Sequence, residues 1–208
     1  MATLKGVCEV KWYIIRHADK EKGEFRNPVL RHQDGPISEK GRVEAQKLSV
    51  YFSERPVTKI YVSQYVRTEQ TIEFVARQME LSPMVDSRLN EIDNGAVEGL
   101  SEPEIRQNFP DIWSAFRERN RDFQFPGGES GEDARRRLRS FMEEKQRDKE
   151  DLLLVSHDGL IRLLMCYILG LPVYRRWDFR VDTCGIMEIE YQPTFERWKL
   201  LRFNQICK

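Results

Sequence analysis

The sequence predicts an α/β protein with a parallel-type sheet. Three short apolar or β-branched runs have the composition of strands, and they cover residues 10–15, 57–63 and 151–156. Each run is followed by a turn, and most are followed by a segment with a helical hydrophobic pattern. The continuous apolar run at 152–155 is typical of a strand that is covered on both faces.

Composition limits the class of protein. The chain has 208 residues, enough for one domain with a real core, and 40% of them are hydrophobic and 33% charged. The 34 basic and 34 acidic side chains leave no net charge, which argues against a general nucleic-acid or membrane-surface binder. Because no repeat, low-complexity segment or linker interrupts the chain, we expect a single domain over residues 1–208.

The cysteines and the amino terminus indicate a cytoplasmic protein. Cys8, Cys166, Cys184 and Cys207 form no C-x-x-C pair and are expected to be reduced thiols. None of the three histidines is spaced with a cysteine as zinc ligands usually are, so no metal site is expected. Residues 1–9 lack the apolar core of a signal peptide, and no apolar stretch is long enough for a membrane span.

A long polar loop and a helix follow the first strand. Residues 21–36 contain glycine and proline breakers, and His32 among them is expected to be a surface loop histidine. Ser38 is a candidate N-cap for a helix over residues 39–54. Gly41 lowers the helix propensity of the first turn.

The second strand leads into a helix at Arg67. Backbone N–H groups and the positive end of the helix dipole favour an anion at such a transition, although an ordinary surface ion pair is the alternative for Arg67. A short strand is expected within residues 83–89. The loop at 88–100 then carries Glu91 and two further acids near glycines. A carboxylic acid in such surroundings can act as a general acid, although loop acids are more often solvated.

The second half alternates helices with a loop and strands. Residues 101–121 are expected to be helical with a break at Pro110, and 131–149 to form an arginine-rich helix whose charges are solvated. The aromatic side chains of the intervening loop are expected in the core. A turn at 158–159 and a buried helix at 160–169 follow the third strand, and two paired strands end the chain at 184–191 and 197–203.

Two predicted strands end in histidine, His17 and His157, and a third leads to Arg67. Carboxyl ends of parallel strands meet at one sheet edge, so these residues and Arg16 are expected to form a pocket for a dianionic phosphoryl group. The histidines offer a nucleophile and the arginines stabilise the charge of the phosphoryl group. Glu91 would add a proton donor to this set. The alternative for each histidine is a packing or hydrogen-bonding role at a strand end.

Five motifs occur in an order that resembles the histidine phosphatase superfamily, the phosphoglycerate-mutase-like proteins. The motifs are Arg16-His17-Ala18, residues 63–71, Leu89-Asn90-Glu91 with Gly95 and Glu98-Gly99-Leu100, residues 126–130, and residues 155–159. Residues 36–42 also resemble a helix start of that family. The resemblance extends over residues 10–171, most of the chain.

The resemblance implies a three-layer α/β/α sandwich with a mostly parallel central sheet. It implies that His17 is a nucleophile that becomes transiently phosphorylated, and that Arg16, Arg67 and His157 bind the phosphoryl group. Glu91 matches the proton donor of the family, so the implied catalytic residues are His17, Glu91 and His157. No cofactor and no metal are implied, because arginines can neutralise the charge on the phosphoryl oxygens.

Several positions depart from the family pattern. Ala18 stands in place of a usual glycine, and its methyl group is tolerable if the backbone keeps a negative φ. Lys20 and Gly23 stand where a threonine and an asparagine are common, and Asn27 would substitute only if the loop bends back. Asp158 replaces a frequent glycine, where it would either repel phosphate or orient a neighbour.

The expected function is a metal-independent phosphomonoesterase that acts through a phosphohistidine on a small phosphorylated substrate. One alternative is a cofactor-dependent phosphoglycerate mutase. The resemblance implies that mutases of the family have a longer stretch between the proton donor and the second histidine than this chain has, which favours the phosphatase. The other is a non-catalytic phospho-ligand-binding protein, which would need neither a nucleophile nor a proton donor. The expected partner is a small-molecule phosphate ester, with no nucleic acid or membrane.

The segments at 21–36 and 101–125 are expected to cap the pocket and select the substrate. Four aromatic side chains predict an apolar wall there, and they are Trp113, Phe116, Phe123 and Phe125. Arg117 and Arg119 are expected to offer a second contact for an anion.

Overall fold

The computed structural model describes residues 10–30 and 32–207. This part of the chain has eight strands, which are β1 (Val10–Arg16), β2 (Arg26–Asn27), β3 (His32–Gln33), β4 (Lys59–Val62), β5 (Met84–Val85), β6 (Leu152–Ser156), β7 (Ile186–Gln192) and β8 (Arg197–Gln205). Its α-helices are α1 (Glu39–Phe52), α2 (Val66–Met79), α3 (Glu102–Asn108), α4 (Pro110–Glu118), α5 (Gly131–Lys145) and α6 (Asp158–Leu169).

Six strands form one sheet in the order β5-β4-β6-β1-β7-β8. The first four pair in parallel, and β7 is antiparallel to both of its neighbours, β1 and β8. Because Arg16 of β1 pairs with Ser156 of β6, and Val62 of β4 with Val155, the carboxyl ends of three strands lie at one edge. The prediction of a mostly parallel α/β sheet is confirmed.

Alternate side chains of β1 enter two different cores. Trp12 and Ile14 belong to a cluster that includes side chains of α5 and α6, whereas Tyr13 and Ile15 join a cluster with side chains of α1 and α2. Burial on both faces explains why β1 and β6 have almost continuously apolar sequences. The molecule therefore has the three layers that the family resemblance implies.

The start of α1 shows why a glycine lies in its first turn. Ser38 Oγ accepts a hydrogen bond from the Gly41 N–H at 3.0 Å and caps the helix as expected. A side chain at Gly41 would overlap the carbonyl oxygen of Asp19. Glycine is therefore needed at this position, although it lowers helix propensity, because the helix packs closely against the loop that follows β1.

Three local predictions differ from the structure. The strand expected within 83–89 is reduced to β5, because Asp86 caps a 3₁₀ turn at Ser87–Leu89 by accepting from the Arg88 N–H at 2.9 Å. The turn expected at 158–159 is already the first turn of α6. The loop at 21–36 contains the β2–β3 hairpin. The helix break at Pro110 is correct, and this proline begins α4.

Cys166, Cys184 and Cys207 are free thiols, as expected. The predictions about Cys8 and about residues 1–9 concern a part of the chain outside the described ranges. Across residues 10–30 and 32–207, no helix has both the length and the apolar composition needed to cross a bilayer.

Candidate active site

A cavity of about 640 Å³ lies at the carboxyl edge of the sheet. Four of the five predicted site residues line it, and they are Arg16, His17, Arg67 and Glu91. His157 does not line this cavity and is fully buried behind it, with its ring centroid 5.2 Å from that of His17. The structure thus brings all five predicted residues together.

His17 follows the last residue of β1 and is only 6% exposed. Its Nδ1 lies 2.8 Å from the carbonyl oxygen of Ala18. Because a carbonyl oxygen only accepts hydrogen bonds, Nδ1 carries the hydrogen and Nε2 keeps the lone pair. Burial, and next the charge of Arg67, lowers the pKa of His17 to about 3. The imidazole is therefore neutral at physiological pH and has a free electron pair on Nε2.

His157 caps α6 and uses both ring nitrogens within the protein. Arg67 Nη2 donates to Nδ1 at 3.1 Å, so Nε2 carries the hydrogen and donates to Ser63 Oγ at 2.8 Å. Burial, followed by the charge of Arg67, lowers the pKa of His157 well below its usual value. In this arrangement the neutral ring holds the guanidinium of Arg67 in place.

The two arginines are anchored by carbonyl groups. Arg67 is buried in the first turn of α2, where Nη1 donates to the Gln33 carbonyl oxygen at 3.3 Å and the guanidinium lies 4.2 Å from the ring centroid of Tyr65. Arg16 Nη1 donates to the Val181 carbonyl oxygen at 2.6 Å. In both arginines the Nε–H group is buried without a partner among the described residues. The carbonyl contacts hold both guanidinium groups in the cavity wall, where an anion with several oxygens is the ligand that guanidinium groups prefer.

Glu91 reaches the amino terminus of α6. Oε1 accepts hydrogen bonds from the N–H groups of Ile92 at 2.9 Å and Leu160 at 3.1 Å, and Oε2 accepts from Gly159 at 3.2 Å. Burial raises the pKa of Glu91, and the backbone donors, which favour the ionised form, reduce this shift without reversing it. A Cβ at Gly159 would lie 2.7 Å from Oε1, so this close approach requires glycine.

Arg137 of α5 supports the loop that carries Glu91, and the prediction that its charge is solvated is wrong. Its side chain is only 19% exposed and forms a two-pronged pair with Glu129 at 2.8 and 2.9 Å. The same guanidinium donates to three carbonyl oxygens, those of Arg88, Asn90 and Glu91. The sequence does not distinguish Arg137 from the other arginines of α5, because its solvated neighbours are the same residue type in the same charged stretch.

Two further side chains line the cavity. Lys20 faces it beside Gly23, and burial, and next the charge of Arg67, lowers the pKa of this lysine. His32 was expected on the surface, but its side chain is only 12% exposed and forms part of the cavity wall, with Nε2 3.5 Å from Asp93 Oδ1. The β2–β3 hairpin folds His32 inward, and no local sequence signal predicts this.

The departures from the family pattern are accommodated. Ala18 has no positive φ, and its N–H donates to Thr71 Oγ1 at 2.8 Å. Asp158 is paired with Arg162 at 2.7 Å, which reduces its repulsion toward an anion. Asn27 donates to Asp34 at 3.0 Å within the hairpin and does not line the cavity.

A second cavity adjoins the first beneath α3 and α4. Three of the four aromatic side chains expected in an apolar wall line it, and they are Trp113, Phe116 and Phe125. Phe123 packs behind Phe125 with ring centroids 5.0 Å apart. The expectation of an anion contact from Arg117 and Arg119 is wrong, because both are exposed and neither lines the cavity. Its basic side chains are instead Arg162 and Arg176.

Comparison with known families agrees with this geometry. The sequence model described as "Histidine phosphatase superfamily (branch 1)" matches residues 12–206. The chain belongs to the histidine phosphatase superfamily. The family prediction made from the motifs is therefore confirmed.

Named relatives of this histidine phosphatase include two kinds of enzyme. Phosphoserine phosphatase 1 of Hydrogenobacter thermophilus is 30% identical over 203 residues, which cover 95% of this chain and 93% of the relative. A protein of Salmonella choleraesuis named as a probable phosphoglycerate mutase is 29% identical over 186 residues, covering 88% of this chain and 85% of its own length. The predicted class, a phosphatase of this superfamily, agrees with the first name.

The fold is shared with solved structures. A mycobacterial glucosyl-3-phosphoglycerate phosphatase superposes with a TM-score of 0.80 at 23% sequence identity, covering 94% of this chain and 99% of the other. At this identity the likeness concerns the fold. It confirms the phosphoglycerate-mutase-like sandwich that the resemblance implied.

Proposed function

We propose that this histidine phosphatase is a phosphomonoesterase that transfers the phosphoryl group of a small substrate to His17 and then to water. The observation that carries the proposal is a neutral, buried His17 that lines one cavity with Arg16, Arg67 and the buried carboxyl group of Glu91. These are a nucleophile, an electrostatic clamp and a proton donor within one site.

In the first step, the lone pair of His17 Nε2 forms a bond to phosphorus and the bond from phosphorus to the ester oxygen breaks. Glu91 gives a proton to the leaving oxygen, and burial, which raises the pKa of this carboxyl group, favours the protonated form that the step uses. The imidazole ring gains positive charge as the N–P bond forms. The hydrogen bond from Nδ1–H to the Ala18 carbonyl oxygen at 2.8 Å stabilises that charge.

In the second step, water attacks phosphorus and the N–P bond breaks. The Glu91 carboxylate takes a proton from the water, so inorganic phosphate leaves and both Glu91 and His17 return to their starting forms. Arg16 and Arg67, which line the cavity, lower the barrier of both steps by offering guanidinium N–H donors to the phosphoryl oxygens. We propose no metal or other cofactor, because these guanidinium groups supply the positive charge that the transfer requires.

His157 is proposed to act on the phosphoryl group mainly through Arg67, because His157 Nδ1 accepts a hydrogen bond from Arg67 Nη2. Direct contact between His157 and phosphate would require the ring to exchange one of its two present partners. In this proposal His17 and Glu91 are catalytic and Arg16 and Arg67 bind the phosphoryl group, while His157 contributes to catalysis and to phosphate binding by positioning Arg67.

The second candidate function is a phosphoglycerate mutase, which the name of the Salmonella relative favours. A mutase would pass the phosphoryl group from His17 to a phosphoglycerate instead of to water. A non-catalytic phospho-ligand-binding protein is disfavoured, since binding alone requires neither a neutral nucleophile nor a buried acid. Single-domain organisation, a cytoplasmic location and a small-molecule phosphate ester as partner belong to the proposal as well.

The test measures release of inorganic phosphate from p-nitrophenyl phosphate in excess EDTA, with wild type beside His17→Ala. We expect release by the wild type and none by the variant. A rapid acid-free quench should also trap phosphate that is labile in acid and stable in base, as phosphohistidine is, and His17→Ala should trap none. Activity that disappears with EDTA, or persists in His17→Ala, contradicts the proposal. Transfer to 3-phosphoglycerate in preference to water favours the mutase.

A further inference from the structure

The second cavity shares wall residues with the phosphoryl site. It has a volume of about 370 Å³, within the range of about 300–1,000 Å³ that small-molecule sites occupy. Glu91 and Asp158 line both cavities, so the proposed proton donor lies at their junction. A leaving oxygen that takes a proton from Glu91 would therefore carry the rest of its molecule toward the second cavity.

The walls of this second cavity are mostly apolar. The side chains come from the loop after Glu91, from α3 and α4, and from the 3₁₀ segment Val173–Asp178; they include Val97, Leu100, Ile105, Ile112, Trp113, Phe116, Phe125 and Trp177. Phe116 and Trp177 meet edge to face at 4.8 Å between ring centroids. Aromatic rings arranged in this way favour a flat apolar group.

Both cations in the lining already have carboxylate partners. Arg162 pairs with Asp158 at 2.7 Å, and Arg176, which is 2% exposed, pairs with Asp122 at 3.1 Å. The other charged side chains of the lining are acidic and include Glu98 and Glu102. The cavity therefore offers no uncommitted cation for a carboxylate or a second phosphate on the substrate.

We propose that the substrate is a phosphate monoester of an alcohol whose body is apolar and uncharged, of the size of an aryl-alkyl group. This inference rests on the proposed function and adds the substrate class. Apolar surface of the alcohol gains by entering the cavity, whereas the carboxylate of phosphoserine would lose water without finding an uncommitted cation. The chain should thus differ in specificity from the relative named phosphoserine phosphatase.

The experiment compares ethyl, butyl and 3-phenylpropyl phosphates with O-phosphoserine. The three alcohols are similar leaving groups, so differences in kcat/KM among their phosphates report how well the alcohol portion fits the second cavity. We expect kcat/KM to rise about fourfold for each added methylene that the cavity buries, and phosphoserine to fall below ethyl phosphate. Equal rates for ethyl and 3-phenylpropyl phosphate, or a preference for phosphoserine, would overturn the assignment.

Two variants locate the binding of the body. Trp113→Ala and Phe116→Ala should each lower kcat/KM for 3-phenylpropyl phosphate about tenfold or more, through KM, and lower kcat/KM for ethyl phosphate much less. The control is Phe195→Ala, an exposed aromatic on the β7–β8 connection, which should change neither substrate. An equal loss for both esters in Trp113→Ala and Phe116→Ala would contradict a role in selecting the body.

Binding of phosphonates by the wild type separates this inference from the proposed function. 3-Phenylpropylphosphonate and ethylphosphonate have no bond that the enzyme can hydrolyse, and calorimetry measures their affinities directly. Tighter binding of the larger phosphonate by tenfold or more supports the cavity assignment even if no ester is hydrolysed, in which case the proposed chemistry alone fails. Equal affinities refute the assignment whatever the catalytic result.

Discussion

Replacing Arg137 by methionine should loosen the loop that carries Glu91. The guanidinium is the centre of five hydrogen bonds, with Glu129 Oε1 at 2.8 Å and Oε2 at 2.9 Å, and with the carbonyl oxygens of Arg88, Asn90 and Glu91 at 2.8, 2.9 and 3.0 Å. Methionine keeps an unbranched apolar stem, although it is shorter than arginine, and removes every donor. The Glu129 carboxylate would then be left half-buried and without its cation.

The magnitude follows from this contact set. Removing one member of a buried, hydrogen-bonded ion pair costs about 3–5 kcal/mol. The Arg137 side chain is 19% exposed and Glu129 is 24% exposed, so water recovers part of that loss. We expect the free energy of unfolding to fall by about 2–4 kcal/mol. Because a shift of about 1 Å at a reacting group can cost about a hundredfold in rate, kcat should fall by about that factor.

Urea unfolding and steady-state kinetics with ethyl phosphate measure the two effects. The matched control is Arg136→Ala, whose side chain is 76% exposed and pairs with Asp133 one turn away. It should change the free energy of unfolding by less than about 0.5 kcal/mol and leave kcat unchanged. Arg137→Lys should recover part of the stability through Glu129 but little of kcat, since an ammonium group lacks the fork that reaches three carbonyls. Equal behaviour of Arg137→Met and Arg136→Ala would refute the reasoning.

Three other predictions concern the site itself. Glu91→Gln should lower kcat by about 10²–10⁴-fold for ethyl phosphate, which needs a proton on its leaving oxygen, and much less for p-nitrophenyl phosphate; equal losses would speak against proton donation. Lys20→Met should raise both KM for ethyl phosphate and the inhibition constant of inorganic phosphate about five- to tenfold with a smaller change in kcat, and an unchanged inhibition constant would exclude a phosphate contact. The pKa of His17 is about 3 in the folded chain and about 6.5 in the unfolded chain, so the unfolded state takes up the proton first and stability falls as pH decreases below 6.5. Between pH 7 and pH 5, urea unfolding should show the wild type losing about 2 kcal/mol more than His17→Asn, and equal losses would contradict the lowered pKa.

The sequence by itself determined the main features of the fold. Strands β1, β4 and β6 were readable because burial on both faces requires nearly continuous apolar runs, and the start of α1 was readable because Ser38 caps its own neighbours. These signals are local, since the residues that set them are adjacent or one turn apart. The order of histidines and arginines behind the strands then predicted which side chains would meet at one edge.

Only the tertiary structure decided which charged side chains belong to the site. Arg137 and Arg139 lie two residues apart on α5, yet the first holds the Glu91 loop from 46 residues away and the second pairs with Glu143 one turn along. Likewise His32 turned out to be part of the cavity wall, while Arg117 and Arg119 face solvent. An arginine has the same propensity and charge in either place. What separates the two roles is the partner that folding brings to it, and that partner lies far away in the sequence.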